Sequence, residues 1–166
     1  MRAKVVTVSD GVIAGTRDDL SGRVLQDLLE ERGFEVVERL AIADGRELVA
    51  ETLRRICRDF HGLVVTTGGT GFSERDQTPE GTRDVLERLA PGFSELIRAS
   101  SPLGALSRGV AGTVGRSLVI NVPGSPKAAR ESIEAVFDLV GHALALMIDG
   151  RATHPDSSGG AASPTG

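Results

Sequence analysis

The chain has 166 residues, 40% hydrophobic and 25% charged, which suits one domain with one core. Its only aromatics are five Phe and its formal net charge is −4, so it has neither the stacking platforms of a single-strand binder nor the basic stripe of a duplex binder. No nucleic-acid partner is expected. The single cysteine, Cys57, allows no internal disulfide; its spacing with Leu53, Ile56 and Phe60 makes it a packed thiol on a helix face. The strand-like run after Met-Arg-Ala-Lys ends at Asp10, too short and too soon polar for a secretory signal. No apolar stretch approaches the roughly 20 residues of a membrane span, so a cytoplasmic protein is expected.

Val5–Ser9 reads as a first strand, and Leu20–Arg32 as a helix stopped by Gly33. Phe34–Ile42 reads as a second strand near a sheet edge, Glu47–Phe60 as a helix, and Leu63–Thr67 as a buried parallel-type strand. A glycine-rich loop runs from Gly68 to Thr78. The next helix opens at Pro79, with Thr78 as its N-cap, and runs to about Leu89. Pro91-Gly92 breaks it, and Phe93–Ser100 is helical again. Gly109–Val114 and Ser117–Val122 read as strands. A long helix follows Pro123-Gly124-Ser125-Pro126 to about Ile148, with Gly150 as its stop. Residues 151–166, small and rich in Pro and Gly, read as a disordered tail after a domain spanning 1–150. Alternating strands and helices predict an α/β fold of three layers, a mostly parallel sheet with helices on both faces. In such sheets ligands bind beyond the carboxyl ends of the strands. The loops Ser9–Ser21, Ala43–Arg46, Gly68–Thr78 and Pro123–Lys127 fall at that end.

Thr67-Gly68-Gly69-Thr70-Gly71 is the strongest local feature. Its glycines let the backbone turn sharply, and consecutive N–H groups there can hold an anion. The alternative is a flexible turn, and the position at a strand's carboxyl end favours the anion site. It is no Walker loop, because Gly71 precedes Phe72, and no dinucleotide fingerprint, because Glu74 stands where that pattern needs Gly. No Ser-His-Asp arrangement is present. His61 sits at a helix-to-strand join, His142 lies off its helix's apolar face, and His154 is in the tail.

Asp10 and Asp19 in the first loop, Asp44 after the second strand and Asp76 before a helix put four carboxylates near one sheet end. Like charges 4 Å apart repel by about 4 kcal/mol at an effective dielectric of 20, and a divalent ion would reverse that sign. Oxygen ligands and partial hydration suit Mg2+ with a nucleotide. The bland roles are helix capping for Asp44 and a helix-dipole contact for Asp76. Lys127 is either a solvated lysine or a phosphate-binding cation.

Thr66-Thr67-Gly68-Gly69-Thr70-Gly71 and Arg75-Asp76-Gln77-Thr78-Pro79-Glu80-Gly81-Thr82 closely resemble the signature of the molybdopterin-binding family, which includes the molybdopterin adenylyltransferases. Val8-Ser9-Asp10, Asp19-Leu20-Ser21-Gly22, Pro91-Gly92-Phe93, Leu106-Ser107-Arg108 and Asn121 to Lys127 add to the resemblance in family order. Gln77 and Gly81 depart from it, since relatives usually carry Val and Ala there. Gly81 is expected to weaken the helix start.

The resemblance implies the molybdopterin-binding fold. It also implies transfer of AMP from ATP to the terminal phosphate of molybdopterin, with pyrophosphate released. Asp44 and Asp76 would then hold Mg2+ and position phosphate. Gly68–Gly71, with Thr67 and Thr78, would bind the substrate. Ser9, Asp10, Asp19, Ser21 and Gly22 would shape the same pocket, and Pro123, Gly124, Ser125 and Lys127 would close it. A homotrimer, and contact with a molybdenum-insertion enzyme, also follow from the resemblance. The rival readings are a non-catalytic molybdopterin-binding or scaffold paralogue, and a competence/damage-type pyrophosphatase on the related fold.

Overall fold

The computed structural model describes residues 1–149, so the expected helix stop at Gly150, His154 and the tail lie outside it. Its strands are β1 (Arg2–Val8), β2 (Glu35–Ile42), β3 (His61–Thr67), β4 (Arg88–Leu89), β5 (Ala111–Val114) and β6 (Arg116–Val122). Its α-helices are α1 (Asp10–Ile13), α2 (Leu20–Glu31), α3 (Arg46–Cys57), α4 (Thr78–Arg83), α5 (Pro91–Ala99) and α6 (Pro126–Asp149), and a 3-10 segment spans Pro102–Leu106. The six strands form one sheet in the order β2-β1-β3-β6-β5-β4. The β2-β1-β3-β6 core is parallel, and β5 and β4 extend it antiparallel.

The layers follow from strand alternation. Successive side chains of a strand point to opposite faces. Ala3, Val5, Leu63, Val65, Leu118, Ile120 and Val122 therefore pack with α2 and α6 on one face. Val6, Val8, Val64 and Val119 pack with Val49, Leu53, Ile56 and Cys57 of α3 on the other. Along α6, Ala129, Ile133, Val136, Val140 and Leu144 are all buried, repeating every three or four residues as a one-sided helix requires. Phe137 from the same helix meets Phe34 edge to face at 5.8 Å. Cys57 is buried, and desolvation pushes its thiol up to about 11, so it is a packing group. β2 is an edge strand, as its alternation predicts.

Three expected boundaries are corrected. The helix opening at Pro79 ends at Arg83 instead of reaching Leu89. The backbone of the next segment pairs with β5, through Glu87 N–H to Thr113 O at 2.8 Å and Ala90 N–H to Ala111 O at 2.8 Å. A long-range sheet edge outcompetes the local helix there. Thr78 is the first helical residue and does not cap; Gln77 stands at the cap position. Pro91-Gly92 opens α5 rather than merely breaking a helix, because proline's fixed φ and missing N–H suit a first turn.

Gly81 is explained by packing. A Cβ there would stand 2.4 Å from Arg46 O and 2.8 Å from Val49 Cβ, so its absence lets α4 lie directly on α3. Gln77 completes the contact, its Oε1 accepting the Arg46 N–H at 3.1 Å. Gly81→Ala should regain at most about 1 kcal/mol of helix propensity and lose about 1–3 kcal/mol to overpacking. Thermal unfolding should therefore show a lower melting temperature for the variant.

Candidate active site

All four parallel strands end on the same side of the sheet. Their last residues are in register: Val8 opposite Ile42, Thr7 opposite Thr67, and Thr67 opposite Val122. The loops that leave them are tied at the root. Ser9 N–H donates to Ile42 O at 2.9 Å, Gly68 N–H to Val122 O at 3.2 Å, and the Thr67 hydroxyl to Pro123 O at 2.8 Å. Between them opens a cavity of about 970 Å³.

The glycines of the central loop are dictated by contact as well as by angle. Gly68 and Gly69 have φ of +95° and +61°, where a side chain is strained. A Cβ on Gly68 would also stand 2.3 Å from Val8 O, and one on Gly69 2.3 Å from Thr78 Oγ1. The backbone therefore runs close over the strand ends and forms part of the cavity wall.

The structure sorts the expected site residues. Ser9, Ser21, Asp44, Thr67, Gly68, Gly69, Thr70, Gly71, Asp76, Pro123, Gly124, Ser125 and Lys127 all line the cavity. Asp10, Asp19, Gly22 and Thr78 do not. Asp19 is occupied in the fold: it caps α2 through Gly22 N–H at 2.9 Å, accepts the Thr7 hydroxyl at 2.7 Å and pairs with Arg39 at 3.1 Å. Gly22 makes room for that carboxylate, since a Cβ there would stand 2.5 Å from both its oxygens. Thr78 lies fully buried behind Gly69, and its hydroxyl has no partner among the described residues.

Asp10 and Asp44 bind each other's backbone. Asp10 N–H donates to Asp44 Oδ2 at 2.8 Å, and Asp44 N–H to Asp10 Oδ1 at 3.0 Å. Two carboxylates can lie so close because Arg75 straddles the pair. Its guanidinium donates to both oxygens of Asp10, at 3.0 and 3.1 Å, and to Asp44 O at 2.8 Å. These bonds hold the Asp10 carboxyl below its usual range. Asp44 is pushed the other way, first by burial and then by the charges of Asp10 and Asp76, against the lowering effect of the Asp10 amide.

The four-carboxylate picture thus reduces to two. Asp44 Oδ1 lies 3.1 Å from the missing Cβ of Gly69, and Asp76 Oδ2 lies 2.9 Å from that of Gly71. Both flank the same loop. Among the described residues no group of three or more His, Cys, Asp or Glu could hold a metal alone. Two hard oxygen donors beside a glycine loop nevertheless fit Mg2+, which takes one or two carboxylates and completes its shell with phosphate and water.

Two serines and two arginines complete the site. Ser9 Oγ accepts Val12 N–H and Ser125 Oγ accepts Ala128 N–H, at 3.3 and 3.4 Å, so each hydroxyl keeps its proton to donate to a ligand. Arg75 and Arg108 stand in motifs quoted above, but nothing in their spacing indicates a role. Arg108 reaches the central loop from the segment before β5. It donates to Gly71 O at 2.6 Å, to Asp76 O and to the Glu80 carboxylate, while its own N–H reaches Thr70 O at 2.9 Å. His142 is exposed, and His61 begins β3 at the opposite end of the sheet.

The profile of the family described as probable molybdopterin binding domain matches residues 4–142, and the chain belongs to that family. It is 41% identical over 151 residues to the molybdopterin adenylyltransferase of Helicobacter pylori J99, covering 87% of this chain and 86% of that protein. It is 35% identical over 152 residues to the molybdopterin adenylyltransferase of Escherichia coli K12, covering 87% and 77%. The solved structure of the molybdopterin biosynthesis enzyme MoaB from Thermus thermophilus superposes with a TM-score of 0.84 at 43% identity, covering 88% of this chain and 95% of that one. The resemblance read from the motifs and the expected fold are therefore both borne out.

Two outcomes test this geometry. An acid whose pKa rises on folding is penalised as a carboxylate; the penalty is present above the raised value and fades as pH falls through it. Asp44→Asn removes the charge and can still accept the Asp10 N–H, so at pH 7 it should melt above the parent. The difference should close below about pH 4, the usual aspartate range. Arg108→Ala should cost about 2–3 kcal/mol, the range of a lost charged hydrogen bond. Amide exchange should then quicken across residues 70–77.

Proposed function

We propose that the chain acts in molybdenum cofactor assembly as an adenylyltransferase, moving AMP from ATP to the terminal phosphate of molybdopterin. The observation that carries this reading is that Asp44 and Asp76 both lie beside the Gly68–Gly71 loop and line one cavity with it. Relatives named for the same activity, at 35–41% identity over most of the chain, support it.

The attacking phosphate oxygen is already ionised at neutral pH, so no strong base is needed. One bond forms from that oxygen to the α-phosphorus of ATP, and the bond from the α-phosphorus to the β-phosphate bridge breaks, its electrons leaving with pyrophosphate. The chain's task is to orient both phosphates and to stabilise charge. The Gly69–Gly71 amides and the Ser9 and Ser125 hydroxyls donate to phosphate oxygens, while the Gly68 N–H stays on Val122 O. Asp44 and Asp76 would hold Mg2+, which would supply positive charge to offset that of the phosphates. Arg75 and Arg108 brace the backbone that carries the two carboxylates. Asp10, Asp19, Gly22 and Thr78 support the pocket from behind rather than lining it. The molecule works in the cytoplasm as a homotrimer and passes its product to a molybdenum-inserting enzyme.

Asp76→Asn is nearly isosteric and keeps an oxygen for the Ser73 N–H. It should lower ATP-dependent adenylylation of molybdopterin by about 100-fold or more, the scale of a lost transition-state charge contact, with the melting temperature nearly unchanged. Full activity would remove Asp76 from the mechanism. Intact pterin binding by the parent chain with no turnover would favour the non-catalytic module instead.

A further inference from the structure

Six charged side chains line the cavity: Arg17, Asp18, Asp44, Asp76, Lys127 and Glu131. Four are acidic. A nucleoside triphosphate remains anionic even with one dication bound, so it meets repulsion here unless the two cations receive it. Lys127 is 84% exposed and already drawn toward Glu131 at 3.8 Å. Arg17 forms no ion pair among the described residues.

Arg17 is also fixed at its root. Gly11 O accepts the N–H of Thr16 at 2.9 Å, that of Arg17 at 3.1 Å, and the Thr16 hydroxyl at 3.1 Å, folding the loop back over α1. Arg17 Cδ and Cγ lie 3.1 and 3.3 Å from where a Cβ of residue 11 would stand, so the missing methyl lets the aliphatic stem lie along α1. Arg17 is exposed and lines the cavity, and a stem packed against α1 loses less freedom when its guanidinium grips an anion.

We propose that Arg17 binds the terminal phosphates of the nucleotide, the pair that leaves as pyrophosphate. The assignment rests on the adenylyl-transfer reading above. That reading gives the outer two phosphates no cationic side chain, and of the two cations lining the cavity only Arg17 has no acidic partner among the described residues. A planar guanidinium spans two phosphate oxygens at once. It would offset the charge that builds on the leaving group as its bond to the α-phosphorus breaks. Arg17 is therefore a determinant of triphosphate over monophosphate binding.

Isothermal titration of the full chain in Mg2+ buffer tests this with ATP, inorganic pyrophosphate and AMP as probes. Arg17→Gln should weaken ATP and pyrophosphate by about 10-fold or more, equivalent to about 1.4 kcal/mol, and leave AMP within about twofold. Arg17→Lys should recover part of the loss, since it restores charge without the fork. Unchanged pyrophosphate and ATP binding in Arg17→Gln overturns the assignment, as does an equal loss for AMP. If the parent chain binds neither ATP nor pyrophosphate, the nucleotide reading itself fails and takes the assignment with it.

Discussion

The loop from Gly68 to Gln77 has almost no regular structure of its own, and two guanidinium groups grip it from opposite flanks. Arg75 leaves the loop and fastens it to the ends of β1 and β2 through Asp10 and the Asp44 carbonyl. Arg108 enters from the segment before β5 and takes the Gly71 and Asp76 carbonyls. Both use the fixed, forked donors that a lysine lacks. These bonds fix the backbone from which Asp44 and Asp76 project, and they supply positive charge where acidic groups crowd together.

The mixed sheet has a consequence for this grip. A wholly parallel sheet would carry the chain after α5 over a face and away from the strand ends. Here β5 runs antiparallel to β6, so the approach to β5 passes the carboxyl end of β3. Arg108 N–H meets Thr70 O on that approach. Asn121 strengthens the same junction, donating to Thr66 Oγ1 and Thr82 Oγ1 and accepting from Val110 N–H. A fully satisfied buried amide of this kind favours a single arrangement of its elements.

The site holds features that a purely structural optimum would discard. Asp44 is a carboxyl where burial and two like charges oppose ionisation, and the Thr78 hydroxyl is buried without a partner among the described residues. Such groups cost stability and persist at sites where charge or polarity is used. The hydrophobic layers around them are ordinary and continuous, so the fold tolerates the cost.

Periodicity and motif alone determined the strand–helix alternation, the three layers, the end of the sheet that carries the site, and the family. Those depend on local spacing and on side chains that repeat with a fixed period. The places of Asp44 and Gly68–Gly71 were legible for the same reason, because each follows a strand whose end could be read, and Asp76 was placed by the helix start that follows it. Only tertiary structure decided that Asp10 and Asp19 are engaged by arginines and a helix cap, that the helix at Thr78 stops at Arg83, and that Gly81 exists for α3. The same holds for Arg75 and Arg108, whose partners Asp10 and Gly71 lie 65 and 37 residues away. A long side chain's partner is chosen by how the chain is packed, and no period in the sequence encodes it.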